Sequence, residues 1–185
     1  MNTPSRNSRF VSTVRRGFSL VEGLIVLAVA SVIAGSVLPS FKAAIERRHL
    51  EGAAAQLVTD VMYTRSLAVA QDRALRISFR SDAAGACYVV HSGAASDCRC
   101  ATGGGATACT RGAQAIKTSS FVTGSAVSVQ SNVGSIVFHP LHGTSTPAGT
   151  LRVVGRSGAA VHQVVNIMGR VRACTPNSVA GYPRC

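Results

Sequence analysis

Nineteen consecutive residues, Gly23 to Phe41, carry no charge, and this run limits more than any other feature what the chain can fold into. About 20 apolar residues are needed for a helix to cross the hydrocarbon of a bilayer, so the run is long enough. Between Arg16 and Lys42 the one charged residue is Glu22. An ionisable group at the border of such a run is costly unless it has a role. A secretory signal has a shorter apolar region followed by a small-residue cleavage site. Here the run is longer, and no such site precedes the return of charge at Lys42. A plain membrane anchor fits the length but leaves Glu22 unexplained, and a buried helix of a soluble domain is disfavoured by length alone.

The flanking residues offer a better account. Arg15-Arg16-Gly17-Phe18-Ser19-Leu20-Val21-Glu22 resembles the class III signal of type IV pilins and pseudopilins. The resemblance implies cleavage by a prepilin peptidase after Gly17 and methylation of the new amino terminus at Phe18. It also implies retention of Glu22 for filament assembly and a helix that continues past Pro39. The physical logic agrees. Basic residues hold the leader on the cytoplasmic side. When the apolar helix moves from membrane to filament core, a buried Glu22 needs a cation, and the family's proposed partner is the α-amino group of a neighbouring subunit's Phe18. The domains expected are a cleaved leader over 1–17, a helix over 18–70 with 18–41 transmembrane, and a β-rich head over 71–185 in the periplasm or outside the cell.

Charge is uneven. The leader holds Arg6, Arg9, Arg15 and Arg16; residues 18–97 hold seven basic and seven acidic groups; residues 98–185 hold eight basic groups and no acid. After cleavage, fifteen basic against seven acidic residues leave a net +8, all from the C-terminal half. A one-signed half of this kind suits an anionic partner such as nucleic acid.

All six cysteines, Cys87, Cys98, Cys100, Cys109, Cys174 and Cys185, follow the apolar run. Their spacing does not fit the usual zinc patterns, and a head outside the cytoplasm favours disulfides. Cys174 and Cys185 enclose a loop with Pro176, Asn177, Gly181 and Pro183 and are expected to pair. The other four allow three pairings, among which the sequence does not choose.

The helix has an amphipathic second part, with Ile45, Leu50, Ala54, Leu57, Val58, Val61, Met62 and Leu67 at helical spacing. Lys42, Glu46, Arg47, Arg48, Glu51, Asp60 and Arg65 are assigned to its other faces, and Gly35, Pro39 and Gly52 are points where it could bend or locally melt. After Asp72 the period becomes 2. Leu75, Ile77 and Phe79 alternate with polar residues, Ser81 to Gly85 form a turn, and Cys87 to His91 complete a hairpin. Residues 92–118 read as a loop, and Gly103-Gly104-Gly105 lacks the context of a phosphate loop. Short strands are expected around 126–129, 135–138, 150–154 and 161–167. The fold class is α+β: a long N-terminal helix, transmembrane and later in a filament core, packed on an antiparallel β-sheet or β-sandwich head.

Two further stretches narrow the family. Ile136-Val137-Phe138-His139-Pro140, followed by Gly143-Thr144, and Asn166-Ile167-Met168-Gly169-Arg170-Val171-Arg172 resemble the GspH/FimT family of minor pilins and type II secretion pseudopilins. In that family a Gly-Arg-x-Arg element near the C-terminus is associated with FimT-like minor pilins that bind DNA during natural transformation, and Gly169, Arg170, Val171 and Arg172 match it. Two arginines two apart on an extended segment share a face, and guanidinium groups suit phosphate oxygens. Arg152, Arg156, Lys117 and Arg184 are candidates for the same face. Binding of double-stranded DNA through phosphates has little sequence preference and steep salt dependence.

Catalysis is not indicated. His91, His139, His142 and His162 lie in a region short of carboxylates, Asp97 is the last acid, and neither a paired-carboxylate site nor a Ser–His–Asp arrangement is easily built. No cofactor or metal is expected. The sequence therefore reads as a minor type IV pilin that takes up DNA, placed in the inner membrane with its head in the periplasm and later at the pilus surface. The expected partners are DNA, other pilins and the prepilin peptidase. The alternatives are a type II secretion pseudopilin and an assembly pilin without DNA contact.

Overall fold

The structure is a computed structural model describing residues 17–185, with the backbone alone for residues 36–40. The basic leader through Arg16 and the side chain of Pro39 lie outside the described residues. Helix α1 runs Leu20–Ala70. Ser19 caps it: its Oγ accepts the Glu22 N–H at 3.1 Å. Serine at the cap with glutamate three residues on is the pairing that satisfies free amides at a helix start, and a carboxylate there also complements the helix dipole. Glu22 thus has a local role in starting α1. The helix is unbroken at Gly35, Pro39 and Gly52, so of the two possibilities there, bending or local melting, melting does not occur. A proline removes one bond from the ladder, and α1 tolerates that loss.

The chain divides into two units, Met1–Phe41 and Lys42–Cys185. In the first, the apolar side chains of α1 are exposed, with Leu20 81% and Val32 73% accessible. Among the described residues no helix is long and apolar enough to cross a membrane. The uncharged run of the sequence continues through residues 36–40, whose side chains are not among them.

In the second unit α1 buries Leu50, Ala54, Leu57, Val61 and Ala68, a stripe at helical three-and-four spacing. Ile45 and Met62 fall outside it and are each 43% exposed. Asp60 corrects the sequence reading. The charge pattern puts it on an outer face, yet it is 1% exposed because it lies within the stripe, three residues from Leu57 and one from Val61. Its charge is met by partners from the sheet, which no pattern along the helix could reveal.

Eleven strands follow. One sheet contains β1 (Leu75–Asp82), β2 (Gly85–Ser92), β5 (Ala115–Val122), β7 (Ser135–Phe138) and β8 (Ser145–Thr146), in the order β5-β2-β1-β7-β8. A second contains β6 (Val127–Ser131), β9 (Gly149–Gly155), β10 (Ala160–Val165) and β11 (Val171–Cys174), in the order β11-β10-β9-β6. β3 (Cys98–Arg99) and β4 (Ala108–Cys109) form a small ribbon. All the pairings between these strands are antiparallel. The β1–β2 hairpin turns between Asp82 and Gly85. Strand β5 begins within the stretch 92–118 that reads as a loop in the sequence. It is polar through Lys117-Thr118-Ser119-Ser120, and a bulge opposite Val90 and His91 passes over Ile116. Ile116 and Phe121 both pack on the core although an odd spacing separates them, so the extra residue broke the period that would have marked a strand.

The inward faces of both sheets meet the α1 stripe. Leu75, Ile77, Tyr88, Val90, Ile136 and Phe138 come from the first sheet, and Val129, Leu151, Val153, Val161 and Val165 from the second. Cys87 pairs with Cys100, Cys98 with Cys109 and Cys174 with Cys185. The first bond ties the segment after β2 to that strand, the second crosslinks the β3–β4 ribbon, and the third closes the C-terminal loop.

Candidate functional site

The Gly-Arg-Val-Arg element is the turn between β10 and β11 and the start of β11. Asn166 builds the turn: its Oδ1 accepts the N–H groups of Met168 at 3.1 Å and Arg170 at 3.0 Å. Its carbonyl accepts the Gly169 N–H at 2.8 Å, and its own N–H donates to Arg170 O at 3.0 Å. Gly169 has φ +70°, and a Cβ there would stand 2.3 Å from the carbonyl oxygen of Gly143. Only glycine meets both demands without strain.

Gly143 belongs to the other stretch singled out in the sequence. The segment from His139 to Thr144 is a tight loop in which Gly143 N–H donates to His139 O and His139 N–H to Thr144 O, both at 2.9 Å. Half-buried Arg65 of α1 donates from Nε to Gly143 O at 2.8 Å, and its side chain lies against Gly169. Buried Ser145 donates from Oγ to Asn166 O at 2.6 Å and from its backbone N–H to Ile167 O at 2.9 Å. Two loops separated in sequence are therefore locked to each other and to α1. Sequence reasoning placed Arg65 on an outer face and did not use Ser145. The available signal was that Arg65 follows buried Val61 by four residues, at the edge of the apolar stripe.

This bracing presents Arg170 and Arg172 to solvent; both are exposed. Val171 between them is half-buried and packs on the core. Arg172 stands opposite Val164 on β10, and Arg152 of β9 stands opposite His162, two residues earlier on β10. Residues two apart on a strand share a face, so Arg152 and Arg172 lie on the same exposed face of the second sheet. Strand spacing and rise put their Cα atoms about 12 Å apart. His162 sits between them. Partial burial, and then the Arg152 guanidinium, hold its imidazole below the usual histidine range. Among the described residues neither Arg152, Arg170 nor Arg172 is in an ion pair.

The other basic candidates are elsewhere. Lys117 does not belong to this face. It lies on β5 in the first sheet, where its Nζ is 2.6 Å from Oδ1 of buried Asp60. The Tyr88 hydroxyl donates to Asp60 Oδ2 at 2.7 Å and Gln56 donates to Oδ1 at 3.0 Å. Burial, and further the Asp60 carboxylate, raise the Tyr88 hydroxyl well above the ordinary phenol range. This network neutralises a charge inside the head and leaves no cation for a ligand. Arg156 follows β9 at the opposite end of the sheet and donates to the carbonyls of Gly124 and Ser125. Arg184 bridges to Thr175 and donates to Ser178 Oγ at 3.3 Å; it is away from the β10–β11 turn, but its neighbour Cys185 lies 3.7 Å from His162 Nδ1, at the Arg152 end of the face. Among the described residues no group of three or more His, Cys, Asp or Glu is placed to hold a metal ion.

Gly17 and Phe18 are described, with Phe18 80% exposed. A family model for the prokaryotic N-terminal methylation motif matches residues 13–38. A second model, the type II transport protein GspH, matches residues 53–169, the span from the buried half of α1 to the turn before Arg170. No curated protein sequence matches. Among solved structures the chain is similar to the type IV minor pilin FimU of Pseudomonas aeruginosa (strain PAO1) in space group P21. The TM-score is 0.52 and the identity 19%, over 72% of this chain and 96% of that one. A second crystal form of FimU, in space group P65, gives 0.48 and 18%, over 69% and 98%. The FimU likeness concerns the fold: a helix on an antiparallel β head. The matched GspH region covers more than half of the chain, and with the methylation motif before it the chain belongs to the GspH family of type IV pilin-like proteins.

Proposed function

We propose that this protein is a minor pilin that binds double-stranded DNA non-specifically for uptake. Its precursor is cut after Gly17, methylated on Phe18 and held in the inner membrane by α1 before joining a pilus. The observation that supports DNA binding is the pair of exposed arginines, Arg170 and Arg172, on a braced turn beside Arg152, in a half-chain without one acidic residue. Guanidinium groups on a fixed backbone contact phosphates and carry little sequence information. Lys117, paired with Asp60, and Arg156, at the far end of β9, are not counted in this surface.

The test is a gel-shift titration of the full chain in detergent across a salt series. Arg170→Gln with Arg172→Gln should weaken binding and flatten the dependence of log affinity on log salt by about 2. Unchanged affinity and slope would refute the proposal. A second reading, a type II secretion pseudopilin, is supported by the description of the matched family itself. In that case a deletion would abolish protein secretion and leave transformation intact.

A further inference from the structure

We infer that Ile167 and Met168, at the tip of the β10–β11 turn, form an apolar wedge that presses against the base steps of the bound duplex. The inference rests on the DNA-binding reading above. Turns of this kind usually carry Gly, Asn, Asp or Ser at the tip. Here two large aliphatic side chains stand there, Ile167 66% and Met168 54% exposed. Neither belongs to the hydrophobic core or packs on it, so folding does not account for them. The turn is held by the Asn166 and Ser145 hydrogen bonds and by the contact of Gly169 with Gly143. A fixed turn loses little freedom on binding.

The surroundings favour a polyanion as occupant. Arg170 and Arg172 follow the wedge directly, and no Asp or Glu occurs after Asp97. Aliphatic side chains flanked by arginines are the device by which proteins unstack a base step and bend DNA around themselves. Exposed Leu141 and Val69 border the same corner through the loop at Gly143. A neighbouring pilin is therefore the competing occupant, but it would have to bring carboxylates to meet both arginines. A wedge has two consequences that phosphate contacts lack. It adds affinity that salt does not screen, and it favours flexible pyrimidine–purine steps over stiff A-tracts.

The experiment uses the full chain in detergent and two short duplexes, one rich in TA and CA steps and one an A-tract, across a sodium chloride series. Ile167→Ser with Met168→Ser should lower affinity roughly tenfold at every salt concentration, keep the salt slope, and erase the preference for the flexible duplex. Ile167→Ala with Met168→Ala should do the same, and thermal melting should match the parent for both variants, since the residues lie outside the core. Parental binding by these variants would overturn the wedge. If they also failed to enter filaments, the tip would be a contact with a neighbouring pilin. Failure of the parent to bind either duplex at low salt would overturn the DNA-binding reading itself, whereas parental binding with unaffected tip variants would remove only the wedge.

Discussion

Gly169 is the residue on which the candidate surface turns. Its φ of +70° and the 2.3 Å approach of the Gly143 carbonyl to the site of a Cβ leave no room for a side chain. Gly169→Ala should therefore destabilise the head by about 2 kcal/mol or more, read as a lowered urea midpoint, and should weaken DNA binding by displacing Arg170. A midpoint equal to the parent would show that the turn relaxes without loss. The sequence identified Gly169 as the first residue of the Gly-Arg-x-Arg element, but not what it approaches. That partner, Gly143, lies 26 residues away, brought in by the pairing of β7, β8 and the β10–β11 turn. Lys117 teaches the same lesson with opposite outcome. It counted toward a basic half of the chain, yet its charge is met by Asp60 from α1, and no local pattern relates those two residues.

At the level of elements, β1 and β2 are joined by more than their ladder. Buried His91 on β2 contacts Ser78 Oγ on β1 through Nε2 at 2.8 Å and the Ser92 carbonyl through Nδ1 at 2.8 Å. With the hydrogen on Nδ1, Nε2 accepts from the serine and the neutral ring is satisfied. Burial, and also the nearby Arg76 guanidinium, push the imidazole below its usual range; the Ser92 carbonyl and the Asp97 carboxylate oppose this. A histidine with a lowered folded pKa takes up its proton more readily when unfolded. Its stabilising contribution is complete above the unfolded value of about 6.5 and is lost as pH falls below it toward the folded value. Stability should thus fall as pH drops through the region just below 6.5, before the carboxylates Asp82 and Asp97, both lowered, begin to protonate. His162 is lowered too, so urea titrations of His91→Gln and His162→Gln are compared. The larger loss of pH dependence should belong to His91→Gln; no loss in that variant would contradict the assignment. The hairpin of β1 and β2 was legible in the alternation from Leu75 to Arg80 and the turn at Ser81 to Gly85. β5 was not, because its bulge re-phases a polar strand.

For the whole molecule, the proposed function takes α1 from lipid into a filament. Its exposed apolar residues from Leu20 to Ile33 need cover from lipid or from other pilin helices. On the proposed function Glu22, whose N–H is accepted by Ser19 Oγ, would become a buried charge once that cover is protein. Glu22→Ala should leave cleavage after Gly17 intact while lowering incorporation into filaments many-fold, measured by mass spectrometry of the mature terminus and by blotting sheared pili. Incorporation at the parental level would show that the cap at Ser19 is the whole role of Glu22. The sequence by itself determined the long helix, the change to strands after Asp72, the family and the acid-free half, because period, length and charge are properties of consecutive residues. Only the tertiary structure decided that Asp60 is buried, that Arg65 and Gly143 brace the β10–β11 turn, and which basic residues share a face. Those depend on strand order and on contacts between residues far apart in the chain, and chain neighbours carry no record of either.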